Sequence, residues 1–197
     1  METPKTFCKV INKFQLLEVI GSGQYGEVHR GVHQHNNNQV AIKVIKLSKF
    51  QEIPKLGEFI INETRALSMI NHPNVIKLEE TCQSANNLYL IYEFCDGGTL
   101  EELIKARGHL PENESLGYLN QLLSAFEVLF NNHILHRDLK PSNILFHNSV
   151  LKVADFGFCK ALSNPFDLSQ TMVGSPIYMA PEILFGKPYT IKADIWS

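Results

Sequence analysis

Three features early in the chain have the residue types to handle phosphate. Gly21-Ser22-Gly23-Gln24-Tyr25-Gly26 has the form G-x-G-x-x-G, a spacing whose missing side chains let backbone amides close over phosphate oxygens. In a dinucleotide-binding fold these glycines would open a helix. Here Glu27 to Val32 continue with strand character, so the segment reads as a hairpin turn, which taken alone is equally an ordinary glycine-rich turn. Next comes Val40-Ala41-Ile42-Lys43-Val44-Ile45, and strand alternation puts Ala41, Lys43 and Ile45 on one face. A lysine among apolar neighbours on a two-sided strand is partly buried, and a buried ammonium needs an anion. Glu63 is the complementary oddity, a carboxylate inside the apolar stripe of the following helix. Either charge alone is more often a snorkelling surface group. Two opposite charges stranded on apolar faces point to an ion pair that would hold the lysine against a ligand phosphate.

Further along stand His136-Arg137-Asp138-Leu139-Lys140-Pro141-Ser142-Asn143, Asp155-Phe156-Gly157 and Ala180-Pro181-Glu182. With these motifs, in this order and spacing, the chain resembles the protein kinase family from Phe14 to Ser197. Phosphoryl transfer is mainly positioning and charge neutralisation, and the resemblance implies ATP and Mg2+ as its partners here. Asp138 would accept or orient the proton of a substrate hydroxyl, and Lys140 would neutralise the moving phosphate. Asn143 and Asp155 would supply the hard oxygen ligands that magnesium prefers. Ile20, Gly21, Ser22, Gly23, Gln24, Tyr25 and Gly26 would cover the nucleotide, with Lys43, held by Glu63, on the α and β phosphates. Val28 and Ala41 would lie above the adenine and Leu145 below it. Backbone groups of Glu93 and Cys95 would bond its edge, with Tyr92 as the gatekeeper. Thr99 stands where the family contacts ribose, but its short side chain makes helix capping the safer role. His136 is expected in an internal column with Phe156, Leu67 and Leu78.

The HRDLKPSN wording resembles serine/threonine kinases, which implies protein Ser and Thr hydroxyls as substrates. Between Asp155 and Glu182, Thr171 is the candidate activating phosphosite, since a dianion there would pair with Arg137; Ser175 belongs to the same activation segment. The wording from Gly174 to Glu182 and from Asp155 to Lys160 resembles most the kinase group that initiates autophagy.

These residues need elements to hold them. Five short strands are expected at Phe14 to Ile20, Gly26 to Val32, Gln39 to Leu47, Val75 to Glu79 and Leu88 to Phe94, rich in β-branched and aromatic residues. Phe59, Ile60, Glu63, Ala66, Leu67 and Ile70 share one helical face between the third and fourth. A capping box, Thr99 with Glu102, opens a second helix, and Pro111 starts a longer one with a leucine stripe from Leu116 to Leu129. The fold class expected is α+β, a two-lobed protein kinase-like fold: a small five-stranded lobe with one helix, and a mainly helical large lobe. The divisions are an N-terminal extension at 1–13, the small ATP-binding lobe at 14–94 and the large catalytic lobe at 95–197.

Of 197 residues, 44% are hydrophobic and 19% charged, and the net charge is −2. That excludes a disordered or fibrous chain, and no basic field speaks for nucleic acid. No stretch is long and apolar enough for a membrane span. Cys8, Cys82, Cys95 and Cys159 lack zinc spacing and read as reduced thiols of a cytoplasmic protein. His33 to Asn38 reads as a solvated hairpin loop. Asp194-Ile195-Trp196-Ser197 resemble the start of the central helix of the large lobe, which implies a lobe incomplete at its C-terminus. Two function classes remain open: an active serine/threonine kinase, or a catalytically weak fragment that binds ATP or a regulatory protein partner.

Overall fold

The computed structural model describes residues 10–23 and 25–197. Residues 1–9, most of the expected extension together with Cys8, and Gln24 of the glycine-rich turn lie outside the described residues. The chain divides into two compact units, one of residues 10–56 with 78–94 and one of residues 57–77 with 95–197.

The first unit is a curled antiparallel sheet. Its strands are β1 (Val10–Ile11), β2 (Phe14–Gly23), β3 (Gly26–His33), β4 (Gln39–Lys46), β5 (Leu78–Gln83) and β6 (Asn87–Glu93), in the order β1-β2-β3-β4-β6-β5. Alternation sorts their side chains. One face buries Phe14, Val40, Ile42, Tyr89 and Ile91 with Ile11, and Leu16, Val44 and Cys82 pack against them. The curl brings the two ends of the sheet together: Glu80 of β5 accepts a hydrogen bond from Asn12 Nδ2 at 2.7 Å and pairs with Lys13 Nζ at 2.7 Å. The loop after β3 turns through Asn37 at a φ of 57°, with His33 N donating to Asn38 O. A one-turn helix, α1 (Lys49–Glu52), comes after β4.

The sheet thus has a sixth strand beyond the five expected, two residues of the stretch assigned to the extension. Too short to show alternation, Val10–Ile11 left no periodic signal. The expected strand at Val75 to Glu79 is also divided. Val75 forms a parallel bridge to Val153, Ile76 N donates to Val153 O, and β5 begins only at Leu78.

In the second unit, α2 (Leu56–Met69) buries Ile60, Glu63, Ala66 and Leu67, the expected stripe. The residues after it are fastened to the rest of the unit by Asn74, whose Nδ2 donates to Gln121 Oε1 at 3.1 Å and to Leu151 O at 3.0 Å. Helix α3 (Leu100–Arg107) opens on the reciprocal capping box of Thr99 and Glu102, and α4 (Glu112–Asn131) begins after Pro111. Then come β7 (Ile134–Leu135), the hairpin β8 (Ile144–His147) and β9 (Val150–Val153), and β10 (Lys160–Ala161), which pairs with β7. Short helices α5 (Pro181–Leu184) and α6 (Lys192–Trp196) end the chain. Leu100, Ile144, Phe146 and Leu151 form one core under α3 and α4. Leu135, Ala180, Ile183, Tyr189, Ile191 and Ala193 form another. The leucine stripe of α4 is only half used: Leu129 and Ala125 are buried, whereas Leu116, Leu119 and Leu123 are exposed among the described residues.

Candidate active site

In the first unit the sheet register gathers the candidate nucleotide residues. Val28 stands opposite Lys43, Arg30 opposite Ala41, and Gly21 opposite Val28. On β4's other side Lys43 faces Leu90 and Ala41 faces Tyr92. Directly opposed residues share a face, so Gly21, Val28, Ala41 and Lys43 line one surface, the reverse of the core just described. Glu93 pairs with Val40 at the end of β6. Gly26 is required where it stands, because a Cβ there would lie 1.9 Å from Val44 O. Tyr25 is buried at the turn, and Ile20 and Ser22 are exposed.

In the second unit the centre is the segment from His136 to Asn143, which leaves β7 and has no ladder of its own. Asp194 of α6 holds its start: one carboxylate oxygen accepts from His136 N at 2.6 Å, the other from Arg137 N at 2.8 Å. Burial pushes the Asp194 carboxyl above its usual range, against the opposing pull of the His136 and Arg137 amides and the Arg137 charge. Arg137 takes a left-handed backbone, φ 70°, and its guanidinium donates to Phe158 O at 2.6 Å and Cys159 O at 3.4 Å. His136 is fully buried and packs edge-on to Phe156 at 4.7 Å. Its Nε2 faces Ala154 O at 3.0 Å and its Nδ1 accepts from Asp138 N at 3.3 Å. One tautomer, with its hydrogen on Nε2, serves both bonds.

Asp138, 4% exposed, gathers donors on both oxygens. Oδ2 accepts from Asn143 Nδ2 at 3.0 Å and pairs with Lys140 Nζ at 2.8 Å. Oδ1 accepts from Ser175 N at 2.9 Å and Ser175 Oγ at 2.8 Å. Lys140 Nζ also donates to Ser175 Oγ at 2.8 Å. Gly174 permits this approach, since at its φ of 107° a Cβ would lie 2.2 Å from Arg137 O. Asn143 spends its amide hydrogens on Asp138 O and Oδ2, which leaves its carboxamide oxygen as the free-facing acceptor. Asp155 comes next, at the surface in a left-handed conformation, φ 58° and ψ 70°. An amide oxygen and an exposed carboxylate are hard donors. They fit a divalent cation that keeps most of its ligands as water and phosphate, so these residues suit the group.

The remaining candidates occupy the same unit. Leu145 lies on β8, bridged to Thr99, and Cys95 precedes the turn in which Gly97 N donates to Phe146 O. Glu63 on α2 is 2% exposed. Thr171 is exposed, and its carbonyl accepts from the buried Tyr189 hydroxyl at 2.6 Å. Glu182 sits in the first turn of α5. Beside the Arg137 contacts, burial and then the charge of Glu63 push the Cys159 thiol up to about 12. Sequence reasoning included Ser175 only as part of its segment; nothing in the spacing of Gly174-Ser175-Pro176 announces a hydroxyl clamped between Asp138 and Lys140.

The chain is similar to known proteins over most of its length. The protein kinase domain family matches residues 14–197. The chain is 38% identical over 193 residues to serine/threonine-protein kinase ATG1c of Arabidopsis thaliana, covering 96% of this chain and 26% of that protein. It is 37% identical over 197 residues to serine/threonine-protein kinase atg1 of Dictyostelium discoideum, covering 96% and 29%. To calcium-dependent protein kinase 5 of Plasmodium falciparum it is 38% identical over 182 residues, covering 90% and 31%. The chain therefore spans under a third of the length of these relatives.

Proposed function

The chain belongs to the protein kinase family, and from that premise we propose that it transfers the γ-phosphate of ATP to serine and threonine hydroxyls of protein substrates. The observation that carries this reading is Asp138, a nearly buried carboxylate ringed by Lys140, Asn143 and Ser175. A carboxylate so fixed is aimed without reorganisation at the moment of reaction. Asp138 orients the acceptor hydroxyl and takes its proton; Lys140, on the same carboxylate, faces the charge that develops on the transferred group. Ser175 keeps the activation segment against both.

The glycine-rich turn, with Val28, Ala41 and Lys43, serves the nucleotide from 14–94, the lobe that binds ATP. Glu93, Cys95 and Leu145 serve its base, and Glu63 supports the lysine's role. Asn143 and Asp155 would hold Mg2+, which when bound neutralises phosphate charge. Phosphate on Thr171 orders the activation segment, with Arg137 as its cation. The protein acts in the cytoplasm; no helix among the described residues is long and apolar enough to cross a membrane. The names of the relatives in Arabidopsis and Dictyostelium support a place in the ATG1-like group.

Titrating the chain with ATP in the presence and absence of Mg2+ tests the reading. Metal-dependent binding that is weakened at least tenfold by Asp155→Asn supports it. Equal binding with and without the metal, or in the variant, contradicts it.

A further inference from the structure

The sheet pairs β2 with β3 unevenly. Leu16 faces Gly31, Val19 faces His29 and Gly21 faces Val28, so the register slips between Leu16 and Val19 and again between Val19 and Gly21. Strand β2 carries the surplus, and its Val19 and Ile20 stand out, about half exposed. Bulges of this kind bend a strand, increase its twist and re-aim the residues beyond them. Here those residues are the glycine-rich turn. A bulge also removes backbone groups from the ladder, and a carbonyl so released needs another donor.

Leu17 O has one. His29 Nδ1 lies 3.0 Å from it, and the side chain of His29 is only 15% exposed. A carbonyl only accepts, so Nδ1 carries the hydrogen. The other ring nitrogen, Nε2, lies 3.3 Å from Glu27 Oε2. The imidazole therefore spans from the bulge in β2 to Glu27, which pairs with Ser22 within the glycine-rich turn. On the opposite face the next residue does something similar: Arg30 Nε donates to Glu18 Oε1 at 2.7 Å, and that contact holds the Glu18 carboxyl below its usual range. The bulge is gripped from both faces of β3, but by different bonds. The Arg30 contact joins two long, exposed side chains and is worth little. The His29 contact reaches the backbone itself.

We propose that His29 is a positioning residue for the glycine-rich turn: its hydrogen bond to Leu17 O sets the bulge that aims the turn at the nucleotide phosphates. This rests on the reading of that turn as an ATP-binding element. His29 itself touches no nucleotide atom; its effect is on the angle at which the turn leaves the sheet. Without the bond, the bulge samples other registers, and the turn closes over phosphate less often.

Mg2+-ATP affinity, together with KM for ATP and kcat, is to be measured on the full chain for the wild type, His29→Leu and His29→Asn. The loss of one hydrogen bond to a backbone group predicts that His29→Leu binds nucleotide about three- to tenfold more weakly, with kcat at saturating ATP within about twofold of wild type. Asn carries its amide nitrogen near the position of Nδ1, so His29→Asn restores the affinity. Should His29→Leu fail to fold, His29→Gln, whose donor sits one bond too far out, takes its place. Unchanged affinity in the loss variant overturns the inference, and does so without touching the ATP reading if Lys43→Met still weakens binding. A loss that Asn does not rescue, or one shared equally by KM and kcat, makes His29 merely structural and also overturns it. A wild-type chain that binds no Mg2+-ATP sinks the ATP reading, and the inference with it.

Discussion

Val28, Ala41 and Lys43 owe their positions to a ladder. Each sits in a register shared by three strands, β3, β4 and β6, and its direction is set by alternation, whatever its side chain. Asp138 and Asn143 have no ladder. Their segment is held by side chains bonded to backbone, above all Asp194 to the amides of His136 and Arg137. Those groups are buried, His136 fully and Asp194 at 3% exposed. In a ladder the loss of one side chain leaves the backbone bonds standing. In the loop, the loss of one side chain strands buried donors, each costing about 1–3 kcal/mol.

The widest gap between the two regions is expected from Asp194→Ala, which leaves two buried amides without an acceptor. It should destabilise the protein by about 2–5 kcal/mol in urea unfolding, while Val28→Ala costs about 1 kcal/mol. Equal costs would erase the contrast.

Glycine replacement separates the regions by function. Gly26→Ala drives a Cβ into Val44 O and Gly174→Ala drives one into Arg137 O. The first should abolish nucleotide binding with the hairpin. The second should leave binding within about threefold yet cut phosphate transfer more than about a hundredfold, since it moves Ser175 off Asp138. ATP titration beside a transfer assay reads both. A smaller loss is expected of Ser175→Ala, which removes hydrogen bonds to the charged groups of Asp138 and Lys140. Bonds of that kind are worth about 1.5–3 kcal/mol, so kcat should fall about ten- to a hundredfold, with Ser175→Thr recovering most of it.

The least visible consequence lies at Cys159. Burial pushes its thiol up to about 12 from an ordinary value of 9.0, so between those limits the unfolded chain loses a proton that the folded chain keeps. The stabilisation is complete below pH 9 and is lost as pH rises toward 12. Cys159→Ala should flatten this alkaline decline, and native Cys159 should resist alkylation at pH 8 until denaturant is added.

The candidate site residues stand out in the sequence because residue type and spacing mark them. Lys43 and Glu63 stood out as charges in apolar patterns, and Thr99 with Glu102 formed the capping box that their spacing implied. What escaped was set by tertiary contact. Val10–Ile11 is too short for a period, and Val75 and Ile76 are β-branched residues docked on β9 rather than in the sheet. The clamp of Ser175 on Asp138 joins positions far apart in sequence, with no local signature. Nor does any pattern of hydrophobicity encode the slipped register beneath His29, since a bulge spends residues without changing their types. The half-exposed leucine stripe of α4 shows the converse: periodicity states which face is apolar, not what covers it.

The proposed role of Asp138, in its ring of donors, is to direct phosphate from ATP to a protein hydroxyl. The most direct measurement gives γ-labelled ATP and Mg2+ to the full chain and to Asp138→Asn, with a serine- and threonine-containing protein acceptor, and identifies the labelled amino acids after acid hydrolysis. Phosphoserine or phosphothreonine is expected from the wild type, and at least about a hundredfold less from Asp138→Asn with ATP affinity preserved. Transfer that continues undiminished in Asp138→Asn would contradict that role.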